Sequence, residues 1–346
     1  MLVRARLSLF ASLLLLAGCG SPPTGPVQAD LVLIDAKIWT ANPHEPWADW
    51  IAVRGSRITS IGRGDSYPDA VRVLDLDGRL VVPGFNDTHV HFAQAGTLLL
   101  GVNLLDVSQS SLFRRRIEEA ARRLPAGSWI TGGDWGAYEA WERGSDGQRR
   151  NETGFLPSRK LIDDLTPDHP VVVTRFDRRQ GLANAAALRE LGIESESGIL
   201  EGLQLQSALD AVPEKSFERR LAESRRALEE CRRWGVTTVQ DMSPLDQVDI
   251  YEHLRERGEL TCRIHFSPSR LNEYGMMIER GWVGQAGDEW IRFGTLKTHI
   301  DGIMGARSAR FFEPYDDNEP DRKDWRGGDP CWHIAHTRTL VFQTRD

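Results

Sequence analysis

The sequence predicts an α/β fold: a (β/α)8 TIM-type barrel, with about the first four βα units present, preceded by a small β-sandwich-like domain and interrupted by a long insert after the first barrel strand. Three observations carry this expectation. Residues 30–80 hold short β-rich runs cut by Gly, Pro and Asp. From Leu80 onward strand-like and helix-like patterns alternate, as βα units on a parallel sheet require. Roughly residues 93–215 interrupt that alternation with a helix and strands of their own.

Composition bounds the class. Against 50 acidic side chains stand 43 basic ones, a formal charge of −7 over 346 residues, mild and spread along the chain. No nucleic-acid partner is expected from that balance. With 40% hydrophobic and 27% charged residues the chain is of ordinary globular composition, which excludes a fibrous or disordered protein. No apolar run after residue 20 approaches the ~18–20 residues of a spanning helix.

At the amino end, Arg4 and Arg6 precede an apolar run from Leu7 to Leu16 and then Leu16-Ala17-Gly18-Cys19, the order of an export signal. The tetrapeptide resembles the lipobox of bacterial lipoproteins, in which cleavage before the cysteine frees its thiol and amine for acylation. That resemblance implies a signal peptide over residues 1–18, lipidation at Cys19, and a membrane partner held through the lipid anchor, since two or more acyl chains anchor a protein stably. Gly20, rather than an aspartate, then implies an exported lipoprotein of the cell envelope, at the periplasmic face of the outer membrane. An ordinary cleaved signal with an incidental cysteine is the alternative. Residues 19–29 read as a proline-rich tether. Cys231, Cys262 and Cys331 have no zinc-like spacing and read as simple buried thiols rather than a disulfide framework.

In the β domain, Leu31–Thr40, Ile51–Val53, Arg57–Gly62 and Val71–Leu76 predict a small antiparallel sheet. The domain that follows, residues 81–317, opens with Leu80-Val-Val-Pro-Gly-Phe leading a strand into Asn86-Asp-Thr-His-Val-His91. Three further strands are expected at Gly235–Met242, Leu260–Phe266 and Ile291–Gly302, after helices at Phe217–Trp234, near Val248–Arg257 and near Leu271–Gly281. Inside the insert, helices are predicted over Leu112–Leu124 and Asn184–Leu191, and strands over Trp129–Gly132 and Val171–Arg175. Inserts of this length on a barrel sit over its mouth and shape the substrate pocket.

His89 and His91 stand two apart at the end of the first strand, where alternation puts both imidazoles on one face within reach of one cation, with Asp87 adjacent. The pattern H-x-H also arises in solvated or hydrogen-bonded pairs. Here it closes a strand at the carboxyl end, where barrel enzymes hold their chemistry.

The run Pro83-Gly-Phe-Asn-Asp-Thr-His-Val-His-Phe92 resembles the first-strand signature of the amidohydrolase superfamily, in its amidohydrolase 3 branch. In the order expected of that branch follow Gly132-Gly-Asp-Trp135, Pro170–Arg175 with Ala183–Leu188, Gly235–Val239, and Lys297-x-x-x-Asp301-Gly302 with Glu313-Pro-Tyr315, so the resemblance covers about residues 30–317. It implies a metal-dependent hydrolase of carbon–nitrogen bonds other than peptide bonds, acting on a small-molecule substrate through metal-activated water. It implies that His89 and His91 bind a divalent cation, zinc before others, and that Lys297 can be carboxylated to bridge a second ion. A solvated lysine is the plainer alternative. His299 and Asp301 share the strand face of Lys297 by period two, as pocket lining or as hydrogen-bonded core groups. Asp134 and Trp135 resemble pocket residues of the branch, although a tryptophan there also fits plain packing. One departure is Asp177-Arg178-Arg179, where the branch carries Asp-x-His.

The branch draws further histidine ligands from its fifth and sixth strands and a catalytic aspartate from the eighth. None has a home in residues 318–346, an atypical tail in which His333 and His336 lack a supporting strand. The resemblance therefore implies a chain truncated at its carboxyl end, with its catalytic residue unknown. Open strand edges in such a chain imply a partner, either a second copy in a homo-oligomer or the missing carboxyl-terminal half. The rival to the hydrolase is a non-catalytic exported lipoprotein, or a truncated fragment with at most ligand binding.

Overall fold

The computed structural model describes residues 28–136, 155–176, 178–268, 273–284, 286–298, 301–302, 304, 309–316, 318 and 323–327. The predicted signal peptide, Cys19, Asp177, His299, Cys331, His333 and His336 lie outside the described residues. Among the described residues no helix is long and apolar enough to cross a membrane. The chain divides between Pro83 and Gly84 into two units, three residues beyond the boundary at residue 80 that the sequence suggests.

Among its described residues the first unit holds five strands: β1 (Ala29–Trp39), β2 (Trp47–Ala48), β3 (Trp50–Arg54), β4 (Arg57–Gly62) and β5 (Ala70–Val81). β1 pairs antiparallel with β2 and β3, and β3 antiparallel with β4, as the short alternating runs predict. β5 instead runs parallel to β1 along most of its length. The unit is thus one mixed sheet, not the antiparallel, sandwich-like domain expected. A parallel neighbour needs a long crossover connection, and the chain from β2 to β4 supplies it. Asp35, at a φ of +46°, marks a register shift in β1. Consecutive residues Ile51 and Ala52 belong to separate apolar clusters, so both faces of this sheet are partly covered.

The second unit begins with β6 (Phe85–Val90), α1 (Phe92–Leu100), β7 (Val102–Asn103), α2 (Ser110–Arg123), β8 (Ile130–Trp135), β9 (Val171–Arg175) and β10 (Gln180–Ala183). It continues with α3 (Ala185–Leu191), β11 (Ile199–Glu201), α4 (Gly202–Ala211), α5 (Phe217–Trp234), β12 (Val236–Asp241), α6 (Gln247–Glu256), β13 (Arg263–Phe266), α7 (Tyr274–Glu279) and β14 (Ile291–Arg292). The four expected strands pair side by side in chain order, β6-β12-β13-β14, all parallel. Among the described residues they form an open sheet rather than a closed barrel. The insert builds its own sheet in the order β7-β8-β9-β10-β11, the first three parallel and the last two antiparallel, over two apolar clusters of its own.

Local chemistry sets the helix ends. The Ser216 side chain caps α5 by accepting from the Arg219 N–H, Glu218 sits in the first turn, Arg232 and Arg233 in the last, and Gly235 closes it at a φ of +72°. This concurrence of signals is why the sequence yields α5 at its observed bounds. In the insert, Asn184 caps α3 and is itself buried. Its Oδ1 accepts from the amides of Val171 (3.0 Å) and Ala187 (2.9 Å), while its Nδ2 donates to Thr166 Oγ1 (2.8 Å) and the His169 carbonyl (2.8 Å). One side chain thus ties α3, β9 and the loop before β9 together. Asn184→Ala leaves several buried groups without partners and is expected to cost about 2–4 kcal/mol, read as a lower midpoint in urea unfolding.

Candidate functional site

Three residues of β6 oppose two of β12: Asp87 pairs with Val239 and Val90 with Asp241, so a bulge falls at Thr88–His89. Asp87 and Val90 follow the face of buried Val239 and Asp241, which turns His89 to the other face although it stands two residues from Asp87. Asp87 Oδ1 accepts from the His89 amide at 3.1 Å and holds the bulge. His91 is the residue before α1 and half-buried, His89 is exposed, and their ring centroids lie 5.7 Å apart at an interplanar angle of 56°. Two imidazoles on one tetrahedral ion, with bonds of ~2.1 Å, stand with ring centres roughly 5–6 Å apart. The separation of the two rings falls in that range. Among the described residues no group of three or more His, Cys, Asp or Glu side chains is arranged to complete a metal site.

The backbone beyond His91 is held from a distance. Phe92 donates its amide to Asp241 Oδ1 (2.8 Å) and Ala93 to Ser243 Oγ (2.9 Å), so two side chains some 150 residues away cap α1. Asp241 also accepts from the Ser243 hydroxyl (2.7 Å) and the Tyr251 hydroxyl (2.6 Å) and is fully buried. Burial raises its pKa, against the pull of these donors, and burial together with the Asp241 charge pushes Tyr251 well above the ordinary phenol range. Met242 donates its amide to the Val90 carbonyl (2.9 Å), joining the carboxyl ends of β6 and β12.

A cavity of about 560 Å³ opens at this end of the sheet, with His91, Gln94, Thr97, Lys215, Glu223 and Met242 among its lining residues. Its wall is polar and internally paired. Buried Glu223 takes Lys215 Nζ and Arg219 Nε, each at 2.8 Å, and Thr97 Oγ1 at 3.0 Å. Such a wall presents fixed donors and acceptors to a small polar ligand beside one imidazole.

The other expected residues distribute as follows. Lys297 is half-buried and in coil, not at a strand end, because β14 stops at Arg292. Its neighbour β13 ends at Phe266, residues 286–293 bond back on themselves through Phe293 N–H to the Ala286 carbonyl, and Gly294 leaves the strand at a φ of +134°. Period two therefore does not put Lys297 and Asp301 on one strand face. Lys297 nevertheless reaches the same end of the sheet, its Nζ 4.0 Å from Met242 Sδ. Asp301 accepts the Arg310 amide at 2.8 Å within a loop and is absent from the cavity lining. Asp134 is buried at a φ of +55°, bonded by Gln94 Nε2 and by Thr174 Oγ1 (3.2 Å), so it touches the cavity only through Gln94. Trp135 is 1% exposed and packs edge-on to Phe113 in the insert core, which assigns it to packing rather than to a pocket. The sequence reading missed Asp241 and Ser243. Their signal was a polar pair at the carboxyl end of a predicted parallel strand.

Ser243→Ala leaves the Ala93 amide without its acceptor and removes one of the three bonds to Asp241 Oδ1, which keeps the amides of Phe92 and Ser243. The expected cost is about 1–2 kcal/mol in urea unfolding.

A family model described as the amidohydrolase family matches residues 72–331. The match reaches past residue 317, into the stretch expected to lie outside the family, and begins later than residue 30. The protein LONG AFTER FAR-RED 3 of Arabidopsis thaliana is 31% identical over 334 residues, covering 86% of this chain and 54% of its own. The N-substituted formamide deformylase of Arthrobacter pascens is 30% identical over 191 residues, covering 53% of this chain and 33% of its own. The crystal structure of an uncharacterized metal-dependent hydrolase from Pyrococcus horikoshii superposes with a TM-score of 0.66 at 20% identity, over 91% of this chain and 62% of that one, a likeness of fold. The chain spans about half the length, or less, of these curated relatives.

Proposed function

Because the chain belongs to the amidohydrolase family, we propose that it contributes to a metal-dependent hydrolase of non-peptide carbon–nitrogen bonds, with His89 and His91 as ligands of a divalent cation, zinc first. The observation that supports this most is the imidazole pair at 5.7 Å, next to a polar cavity at the carboxyl end of a parallel sheet. When bound, a divalent cation there supplies Lewis acidity, acidifying water and polarising a carbonyl. The chain's own groups do the rest. Asp241 and Ser243 hold the backbone that carries His91, so that its imidazole is oriented before a ligand arrives. Gln94, Thr97 and Lys215 offer polar contacts to a small amide-like substrate, the class named for the formamide deformylase. Lys297, whose Nζ lies near Met242, is the amine that carboxylation would convert into an oxygen ligand for a second ion.

The reading includes export, with acylation at Cys19 tying the protein to the envelope membrane. It also includes a cover for β6, five of whose six residues are exposed although strands of parallel sheets are ordinarily buried, by a second copy or by further chain.

Metal analysis tests the centre of this reading. Full-length protein incubated with zinc and dialysed is expected to keep about one or two ions per chain, and the H89A/H91A double variant to lose most of them. Unchanged metal content in the folded double variant would refute the assignment. Ser243→Ala, with both imidazoles intact, is expected to weaken zinc binding by about tenfold in competition with a chelator. Hydrolysis of N-substituted formamides, lost with the metal and restored by its return, is the matching activity measurement.

A further inference from the structure

Cys231 lies on the inward face of α5, three residues after Leu228 and four after Ala227, both buried. α5 ends at Gly235 and the chain turns directly into β12, so Cys231 sits over the amino end of that strand. Cys262 immediately precedes β13, and because Thr238 is in register with Arg263, Cys262 stands level with Thr237 at the same end of the sheet. Both cysteines belong to one apolar cluster, Cys262 among its buried members and Cys231 packed against it, and the Cys262 thiol donates to the Arg263 carbonyl at 3.7 Å. From this juxtaposition we infer that Cys231 and Cys262 are a thiol pair that closes to a disulfide, stapling α5 to the start of β13.

The chemistry has a direction. The neighbouring Cys262 thiol holds Cys231 below its ordinary pKa, whereas the Cys231 thiol, with burial, pushes Cys262 up. Cys231 is half-buried and Cys262 buried, so an external reagent meets Cys231 first. The co-reactant is a disulfide, of a small thiol or of a protein thiol oxidant. The Cys231 thiolate attacks one sulfur of that disulfide, forming a mixed disulfide and releasing the first donor thiol. Cys262 then gives up its proton and attacks the Cys231 sulfur, expelling the second donor thiol. Two electrons and two protons pass from the pair to the donor, which leaves as two thiols. The expected export of the chain would bring it to a compartment where such donors are found. This pairing does not depend on the metal site.

Full-length protein is incubated with oxidised glutathione, alkylated with N-ethylmaleimide under denaturing conditions, digested without reduction and mapped by mass spectrometry. The expected result is a peptide pair joined through Cys231 and Cys262, abolished by a reductant and absent from C231S, a variant changed only at the half-buried position. Recovery of both cysteines alkylated, of Cys231 only as a stable glutathione adduct, or of either one joined to Cys19 or Cys331, would overturn the assignment. The same digest of the untreated protein gives the internal reference for both thiols.

Discussion

The candidate site depends on one buried carboxylate. Asp241 ends β12, yet its oxygens serve the start of α1, the helix that begins directly after His91. The first amides of any helix lack partners within it, and a carboxylate placed there satisfies them while complementing the positive end of the helix dipole. Here that carboxylate comes from the neighbouring strand, with Ser243 completing the cap and Tyr251 closing the far side of Asp241. The helix therefore cannot shift without breaking buried hydrogen bonds. The imidazole before it inherits that rigidity.

A second constraint acts on His89. The bulge at Thr88–His89 puts Asp87 and His89 on opposite faces of the strand. A regular strand would have aligned Asp87, His89 and His91 on one side. The extra residue breaks that alternation beside the two imidazoles, a known use of bulges near sites.

The insert connects to this end of the sheet through a short polar chain. Gln94, on α1, lines the cavity and bonds Asp134, whose backbone takes a left-handed conformation at an irregularity within β8. A non-glycine residue in that conformation carries strain of order 1 kcal/mol or more, and bonds to Gln94 and Thr174 with an ion pair to Arg178 at 3.6 Å hold it. The long excursion between β6 and β12 is thus anchored to α1 by side-chain chemistry as well as by apolar packing. The amidohydrolase family match, extending to residue 331, spans this insert and the strands on either side of it.

Local patterns alone determined a good deal. α5, bounded by Ser216 and Gly235 and striped with apolar residues, could be delimited without a structure, because capping, charge and periodicity agree within one segment. The same holds for β9, a run of β-branched residues, and for His89 and His91 as a pair, whose spacing is itself the signal. What tertiary structure decided was everything set by a distant partner. The parallel pairing of β5 with β1 and the burial of Trp135 against Phe113 both follow from neighbours distant along the chain. The capping of α1 by Asp241 and Ser243 is the clearest case: its two halves lie about 150 residues apart, and short-range patterns carry no record of which amide a remote oxygen will meet.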